Sequence, residues 1–443
     1  MAKKKTKRQS KKSLIDRYNS QSVTIRFFII LALVIIAAAV LYVINSFNRS
    51  SYASGPVYYV STTGSDSNPG TQAAPFATIN QANSVATPGT VVYVEPGTYT
   101  SPVLTTASGS ATARISYVSV QKWGAQIVAS GSGTNTDSTW QNTGDYVDIQ
   151  GFDISGGYRL GILNRGSYVN VNQNHIHNIS STYCGSSGGA GIDSTYSTNP
   201  MYNSYTQNFI NAVGLPQPCS YVHGIYMQGS NESAINNIVI DNGGLGIVCY
   251  HSCQAPTISN NHVLGNGYGI KVGSSNGVAT SNAIVTNNII YNNLKGYAIY
   301  DNGTGSLGTN NVFSNNILYG NYLNSCSLTN GNSCVNTIVK DPKFVNYQSD
   351  GSGDYHLTSR SPAIDAGTTV GAPSIDYDGN YRPYGKTYDI GAYEYGSSPA
   401  TTATPTPTSA TLAPTNTPTP TPISTVTTTP TPTPTPALHG HKK

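Results

Sequence analysis

Charged side chains are scarce in this chain: Asp, Glu, Lys and Arg make up 9% of its 443 residues. Nine of the 23 Lys and Arg fall within residues 1–26, where Asp16 is the only acid, so the rest of the chain holds 14 basic against 18 acidic residues. Binding nucleic acid through the folded part needs a basic face to neutralise phosphates, and that class of function is excluded. Phe, Met and Trp are few as well, at 8, 3 and 2. The stretch 224–321 has no helical periodicity. No second membrane span follows the apolar run at 27–44, and the ending LHGHKK carries no LPxTG-type sorting motif. What the chain does have is 45 Gly, which with the low charge suits a turn-rich extracellular β protein, and 32 Tyr. Tyr combines an apolar face with a polar tip, which fits a wet strand surface first and sugar stacking second.

Two registers repeat. Gly or Ala precedes Ile at Gly191-Ile192, Gly224-Ile225, Gly246-Ile247, Gly269-Ile270 and Ala298-Ile299. Asn pairs followed by Ile or Val recur at Asn236-Asn237, Asn260-Asn261, Asn287-Asn288 and Asn315-Asn316, at intervals of 24, 27 and 28 residues. Motifs that survive a varying interval belong to fixed strands joined by elastic loops, the mark of a solenoid. Short β-branched runs bounded by Gly and Asn make it an all-β, right-handed parallel β-helix. In such a coil the same side chain recurs above itself at roughly the 4.7–4.9 Å interstrand spacing. Stacked Ile and Val then fill the interior. Stacked Asn can bond along their row and tolerate left-handed corners. Asn242, Asn266, Asn293 and Asn321, each five residues beyond a pair, predict a second polar row.

Read in order, residues 1–26 form a basic cytoplasmic tail and 27–44 an uncharged run of 18, long enough for a transmembrane anchor at 1.5 Å per residue. The flanking Lys and Arg place the N-terminus in the cytoplasm and everything beyond outside the cell membrane. The alternative is secretion after signal cleavage near Ser51-Tyr52-Ala53. Residues 45–56 are a linker and 57–396 the β-helix. Its short N-terminal capping helix carries an apolar face of Phe76, Ile79, Ala82, Val85 and Ala86. Residues 397–443 form a disordered Thr/Pro-rich stalk. Six Cys in an exported chain favour disulfides. Proximity pairs Cys326 with Cys334 and Cys249 with Cys253, leaving Cys184 with Cys219. Reading CYHSC as a metal cluster through Cys249, His251 and Cys253 crowds three ligands into five residues. Asp376, Asp378 and Asn380 mimic the start of a calcium loop but lack its later Glu, which makes a tight turn the better reading.

The stretch YYVSTTGSDSNPGTQAAPFATINQA, followed by PGTVVYVEPGTYT, resembles the opening of secreted right-handed β-helix proteins related to pectate lyases. It is most similar to the subset that includes the family 9 polysaccharide lyases. ARISYVSV and DYVDIQGFDISGG continue the likeness, which spans roughly 57–321. The segments DPKFVN, DYHLTSRSPAIDAG and DYDGNYRPYGKTYDIGAYEYG resemble a closing module of bacterial surface β-helix proteins. The resemblance implies uronate cleavage by β-elimination, with calcium held by clustered Asp and a Lys base. No run of clustered Asp matches that calcium site, and the Asp pair and Gly-His-Gly pattern of polygalacturonase-type hydrolases is missing too. Calcium therefore stands only as a candidate ion.

If each Ile of the Gly-Ile pairs points inwards, the next residue points out, giving an outer row of Asp193, Tyr226, Val248, Lys271 and Tyr300, with His223 and Asp301 at its edges. A sugar chain can lie along such a strip. Lys271 is the expected base, with Asp193 and His223 as further catalytic candidates and Tyr226, Tyr300 and Asp301 as substrate contacts. The expected partner is a polysaccharide or cell-wall glycan, bound by a monomer. Competing readings are a non-catalytic glycan-binding or adhesive surface protein and a structural spacer.

Overall fold

The computed structural model describes residues 55–129, 138–157, 159–179, 188–195, 198–214, 219–275 and 277–397. The basic tail, the apolar run 27–44, the Thr/Pro-rich stretch beyond residue 397 and Cys184 lie outside them. Among the described residues no helix is long and apolar enough to cross a membrane.

Each complete coil contributes one strand to each of three parallel sheets, in which every strand pairs with its counterpart one coil away; two sheets have 9 strands and the first has 11, because Val57–Val60 and Cys334–Val335 extend it at either end. One coil shows the plan. Ser233–Ile235 lies in the first sheet, Ile238–Ile240 in the second and Leu245–Cys249 in the third, after which Thr257–Ser259 returns to the first. The connections after the second sheet and after the third both vary in length, short from Leu264 to Tyr268 and long from His177 to Gly189 and from Val272 to Ile284, and this is where the repeat interval stretches. Inside, the stacked Ile row predicted from the Gly-Ile register runs from Trp140 through Ile162, Ile192, Ile225, Ile247 and Ile270 to Ile299, each with 0% exposure. Cys326 follows Ile299 on this row and Cys334 follows Phe313 on the first-sheet row, and the two are disulfide-bonded. Cys249 and Cys253 form the second expected bridge. Cys219 is also disulfide-bonded.

The Asn pairs divide their labour. The first member takes the left-handed corner, with φ of 54° at Asn236, Asn260 and Asn315 and 55° at Asn287. The second is buried and stacks, its Nδ2 donating to the Oδ1 one coil on: Asn237 to Asn261, Asn261 to Asn288 and Asn288 to Asn316, each at 3.0 Å. The ladder starts earlier than the repeat suggested, with Asn174 to Asn208 (3.2 Å) and Asn208 to Asn237 (3.0 Å). The second predicted row is present too, from Asn242 to Asn266 (2.8 Å), Asn293 (3.2 Å) and Asn321 (2.7 Å). With their amides consumed inside the wall, these Asn are not sugar ligands.

The helix Ile79–Ser84, capped by the Thr78 hydroxyl, covers the N-terminal end of the stack with Phe76, Ile79 and Ala82. Val85 departs from expectation. The helix ends at Ser84, so Val85 turns outwards and is 38% exposed. Beyond Val335 the chain stops coiling and lies along the second sheet, burying Ile238, Ile240, Leu264, Ile289 and Ile317 under Tyr355, Leu357, Tyr377, Ile390 and Tyr393. Corner residues clasp it. Gln207 donates to the carbonyls of Asp376 and Tyr377, Asn236 to Ile375, Asn260 to Asp389 and Gly391, Asn287 to Thr368 and Asn315 to Ala366. Asp376 accepts from the backbone N–H of Asp378 and Asn380 at 2.9 and 2.8 Å, which is the tight turn.

Candidate functional site

The outer face of the third sheet carries the predicted row in strict register. Asp193 pairs with Tyr226, Tyr226 with Val248, Val248 with Lys271 and Lys271 with Tyr300. It extends below through Leu163 to Gln141 and above to Ser327. Asp193 and Lys271 are three strands apart, roughly 14 Å at the usual spacing, so they cannot attend the same bond.

The Lys271 end is walled by aromatic rings. The Cys249–Cys253 bridge closes a tight loop that presents Tyr250 and His251, and the Lys271 Nζ lies 4.5 Å from the centre of the Tyr250 ring. Asn302 Nδ2 donates to the Tyr250 hydroxyl at 3.0 Å. His251 packs against both Tyr250 and Tyr226, with ring centres 4.6 and 6.1 Å away, and its Nδ1 meets the Ser275 hydroxyl at 2.9 Å. Tyr300 stands beside Tyr268 at 6.4 Å. Burial pulls the Lys271 ammonium below its ordinary value, and the charge of Asp301 partly opposes this. Burial and then the Lys271 charge lower His251 likewise. His223, buried beside Tyr226 with ring centres 5.0 Å apart, is pulled down to about 3 by the same two causes and is neutral. Its Nδ1 accepts from the backbone N–H of Leu245 at 3.3 Å.

Asp301 is committed elsewhere. Its carboxylate accepts from the Gly303 N–H at 2.8 Å and from the Thr329 N–H and hydroxyl at 2.6 Å each, so it ties a loop rather than facing the strip. Asp193 sits in a different environment, where burial pushes its carboxyl up to about 7. The Gln228 amide, donating at 2.5 Å, and the charges of Arg159 and Arg165 pull it down, while Glu232 pushes it further up. Glu232 is itself enclosed, accepting from Ser194, Asn203 and Tyr205. Next along the row, Tyr226 packs on Leu160, Leu163 and Ala190.

Tyr250 and Gln228 lie past the strand ends, where the repeat gives no register, and spacing offers His251 there only as an ion ligand of CYHSC. The disulfide removes the metal reading of CYHSC, since its sulfurs are bonded to each other. Among the described residues only Asp153, His175 and His177, on the second sheet, gather as ion ligands. Among the described residues no carboxylate cluster for calcium stands near Lys271. The tyrosine excess has a further outlet in a corner stack of Tyr146, Tyr168 and Tyr202, with ring centres 4.5 and 5.1 Å apart.

The family model described as Pel9A-like, right handed beta helix region matches residues 58–332. The crystal structure of pectate lyase Pel9A is similar in fold, with a TM-score of 0.52 at 18% identity over 78% of this chain and 98% of that one. An alginate lyase from Paenibacillus sp. str. FPU-7 gives a TM-score of 0.38 at 16% identity over 59% of this chain and 93% of that one. The uncharacterized protein YwoF of Bacillus subtilis is 38% identical over 73 residues, a match spanning 16% of this chain and 16% of that protein's length.

Proposed function

Because the chain belongs to the Pel9A-like right-handed β-helix family, we propose that it is a polysaccharide lyase acting on a uronate polymer laid along the outer row of the third sheet. One observation carries the reading: a half-buried lysine on this face, held among Tyr250, His251 and Tyr300, whose ammonium is disfavoured by its surroundings. A lysine acts as a base only when neutral, and desolvation brings that form within reach. Lys271 takes the proton α to the uronate carboxylate, the C4–O bond breaks, a C4–C5 double bond forms and the departing oxygen takes up a proton. Tyr226 and Tyr300 supply stacking area for the sugars. Asp193, three strands away, belongs to a distal subsite. In this reading residues 27–44 anchor the protein in the membrane, with the β-helix outside facing the glycan.

The test is incubation of the full-length chain with a panel of uronate polysaccharides, following unsaturated product. Lys271→Ala should lower turnover by roughly a hundredfold or more and leave glycan retention nearly unchanged, since a base acts on the proton in the transition state. Tyr226→Ala and Tyr300→Ala should weaken retention. Retention without product from any polymer, weakened by the Tyr changes, makes the strip a binding surface instead. Retention indifferent to all three changes refutes both readings.

A further inference from the structure

We propose that Asp153, His175 and His177 form a binding site for a divalent late transition-metal ion of the zinc type, on the outer face of the second sheet and away from the glycan strip. His175 and His177 alternate on the strand His175–His177, so both imidazoles leave the same face. Asp153 lies one coil below, directly in register with His175. The two rings are nearly parallel, with centres 4.1 Å apart, and they aim at opposite oxygens of one carboxylate. His175 Nδ1 is 2.9 Å from Asp153 Oδ2 and His177 Nε2 is 3.0 Å from Oδ1. The three ligand atoms lie within 4.8 Å of one another. Bonds of roughly 2.0–2.1 Å in a tetrahedron hold ligand atoms about 3.3 Å apart. Closing from at most 4.8 Å to that spacing takes movements of up to about 1.5 Å, within the reach of side-chain rotation, and would seat an ion.

The surroundings orient these ligands. Asn211 Oδ1 faces His175 Nε2 at 2.9 Å, so the ring donates there and leaves Nδ1 as the coordinating atom. A carbonyl behind a ligating imidazole is the usual way such a ring is fixed. Asn178, exposed at the rim, contacts His177 Nδ1 at 2.9 Å and can turn its amide to accept from it once Nε2 is occupied. Trp123 and Phe209 flank His175, with ring centres 4.9 and 5.4 Å away, and stiffen that side of the cluster. The three side chains retain 15–21% exposure, enough for an ion to enter and keep a water as fourth ligand. Two imidazoles with one carboxylate select zinc, cobalt or nickel over calcium and magnesium, which require oxygen ligands.

The full-length chain, stripped with chelator, should bind one more Zn2+ or Co2+ per chain than the His175→Ala/His177→Ala double variant. The Co2+ complex should show visible absorption that the double variant lacks. The histidines of the C-terminal LHGHKK are present in both proteins and cancel in the difference. Asp153→Asn, which preserves side-chain shape, should weaken binding by roughly tenfold or more while far-UV circular dichroism stays unchanged. Equal ion content and equal spectra in wild type, the double variant and Asp153→Asn would overturn the site.

Discussion

Asn261→Ala probes the buried amide ladder at a rung where every bond is defined. Its Oδ1 accepts from the backbone N–H and the Nδ2 of Asn237 at 2.9 and 3.0 Å, and its Nδ2 donates to the Ala234 carbonyl at 2.8 Å and to Asn288 Oδ1 at 3.0 Å. Truncation leaves the Asn237 N–H and the Ala234 carbonyl without these partners in a wall closed to water. Asn288 Oδ1 keeps the backbone N–H of residue 261, and Asn237 Nδ2 keeps the Tyr205 carbonyl at 2.8 Å. Two stranded groups at about 1–3 kcal/mol each put the cost near 4 kcal/mol. Asn261→Asp should cost more, because it buries a carboxylate against two acceptors. Asn260→Ala, one residue earlier, loses its clasp on Asp389 and Gly391, the bonds its Oδ1 accepts from the Ser259 hydroxyl and Asn287 Nδ2, and its ease at φ 54°. Arg382 still serves both carbonyls and Thr368 still takes the Asn287 amide, so it should cost about half as much. Urea unfolding of the full-length chain, followed by circular dichroism, measures all three. A cost below about 1 kcal/mol for Asn261→Ala would mean that the side-chain ladder does not hold the coils together.

Ile270→Asp places a charge in the fully buried Ile row and should cost roughly 3 kcal/mol or more, whereas Lys295→Ala should leave the urea midpoint unmoved; equal tolerance of the two would reverse the assigned register. His262 is buried against Phe344 and Tyr393 and held well below its ordinary value of 6.5, by burial first and then by Arg382 and His356. On acidification the unfolded chain therefore takes up the proton first, and stability should fall by up to about 1.4 kcal/mol per pH unit below 6.5. His262→Phe should remove that part of the slope, and identical pH profiles for the two proteins would exclude it. For topology, protease added to intact cells should remove the β-helix and spare residues 1–26. Protection of both would reverse the proposed orientation, and a soluble product starting near Ser54 would indicate cleavage.

The repeat made the outer row legible. Once Ile225, Ile247 and Ile270 are known to point inwards, Tyr226, Val248 and Lys271 must point out, and the register places them so. What escaped is what does not repeat. Tyr250 and His251 sit in a loop whose shape depends on one disulfide. Asp153 meets His175 from 22 residues away with no shared motif to announce it. Asp301 looked available because its loop partners Gly303 and Thr329 could not be foreseen from spacing. Spacing alone does not separate the two tasks of the double Asn; backbone geometry gives the corner to the first residue and the stack to the second.

That division makes the closing segment a tally of the coils. Gln207, Asn236, Asn260, Asn287 and Asn315 offer one outward amide per turn, and each meets particular carbonyls between Ala366 and Gly391. A solenoid interior indifferent to length could gain or lose a turn with little local penalty, since every rung resembles the next. Here an added or deleted turn between Gln207 and Asn315 would shift all later amides by one strand spacing, about 4.8 Å, and out of reach of their carbonyls. The number of turns under the segment is thus set by the segment itself, and with it the length of the outer row on the third sheet.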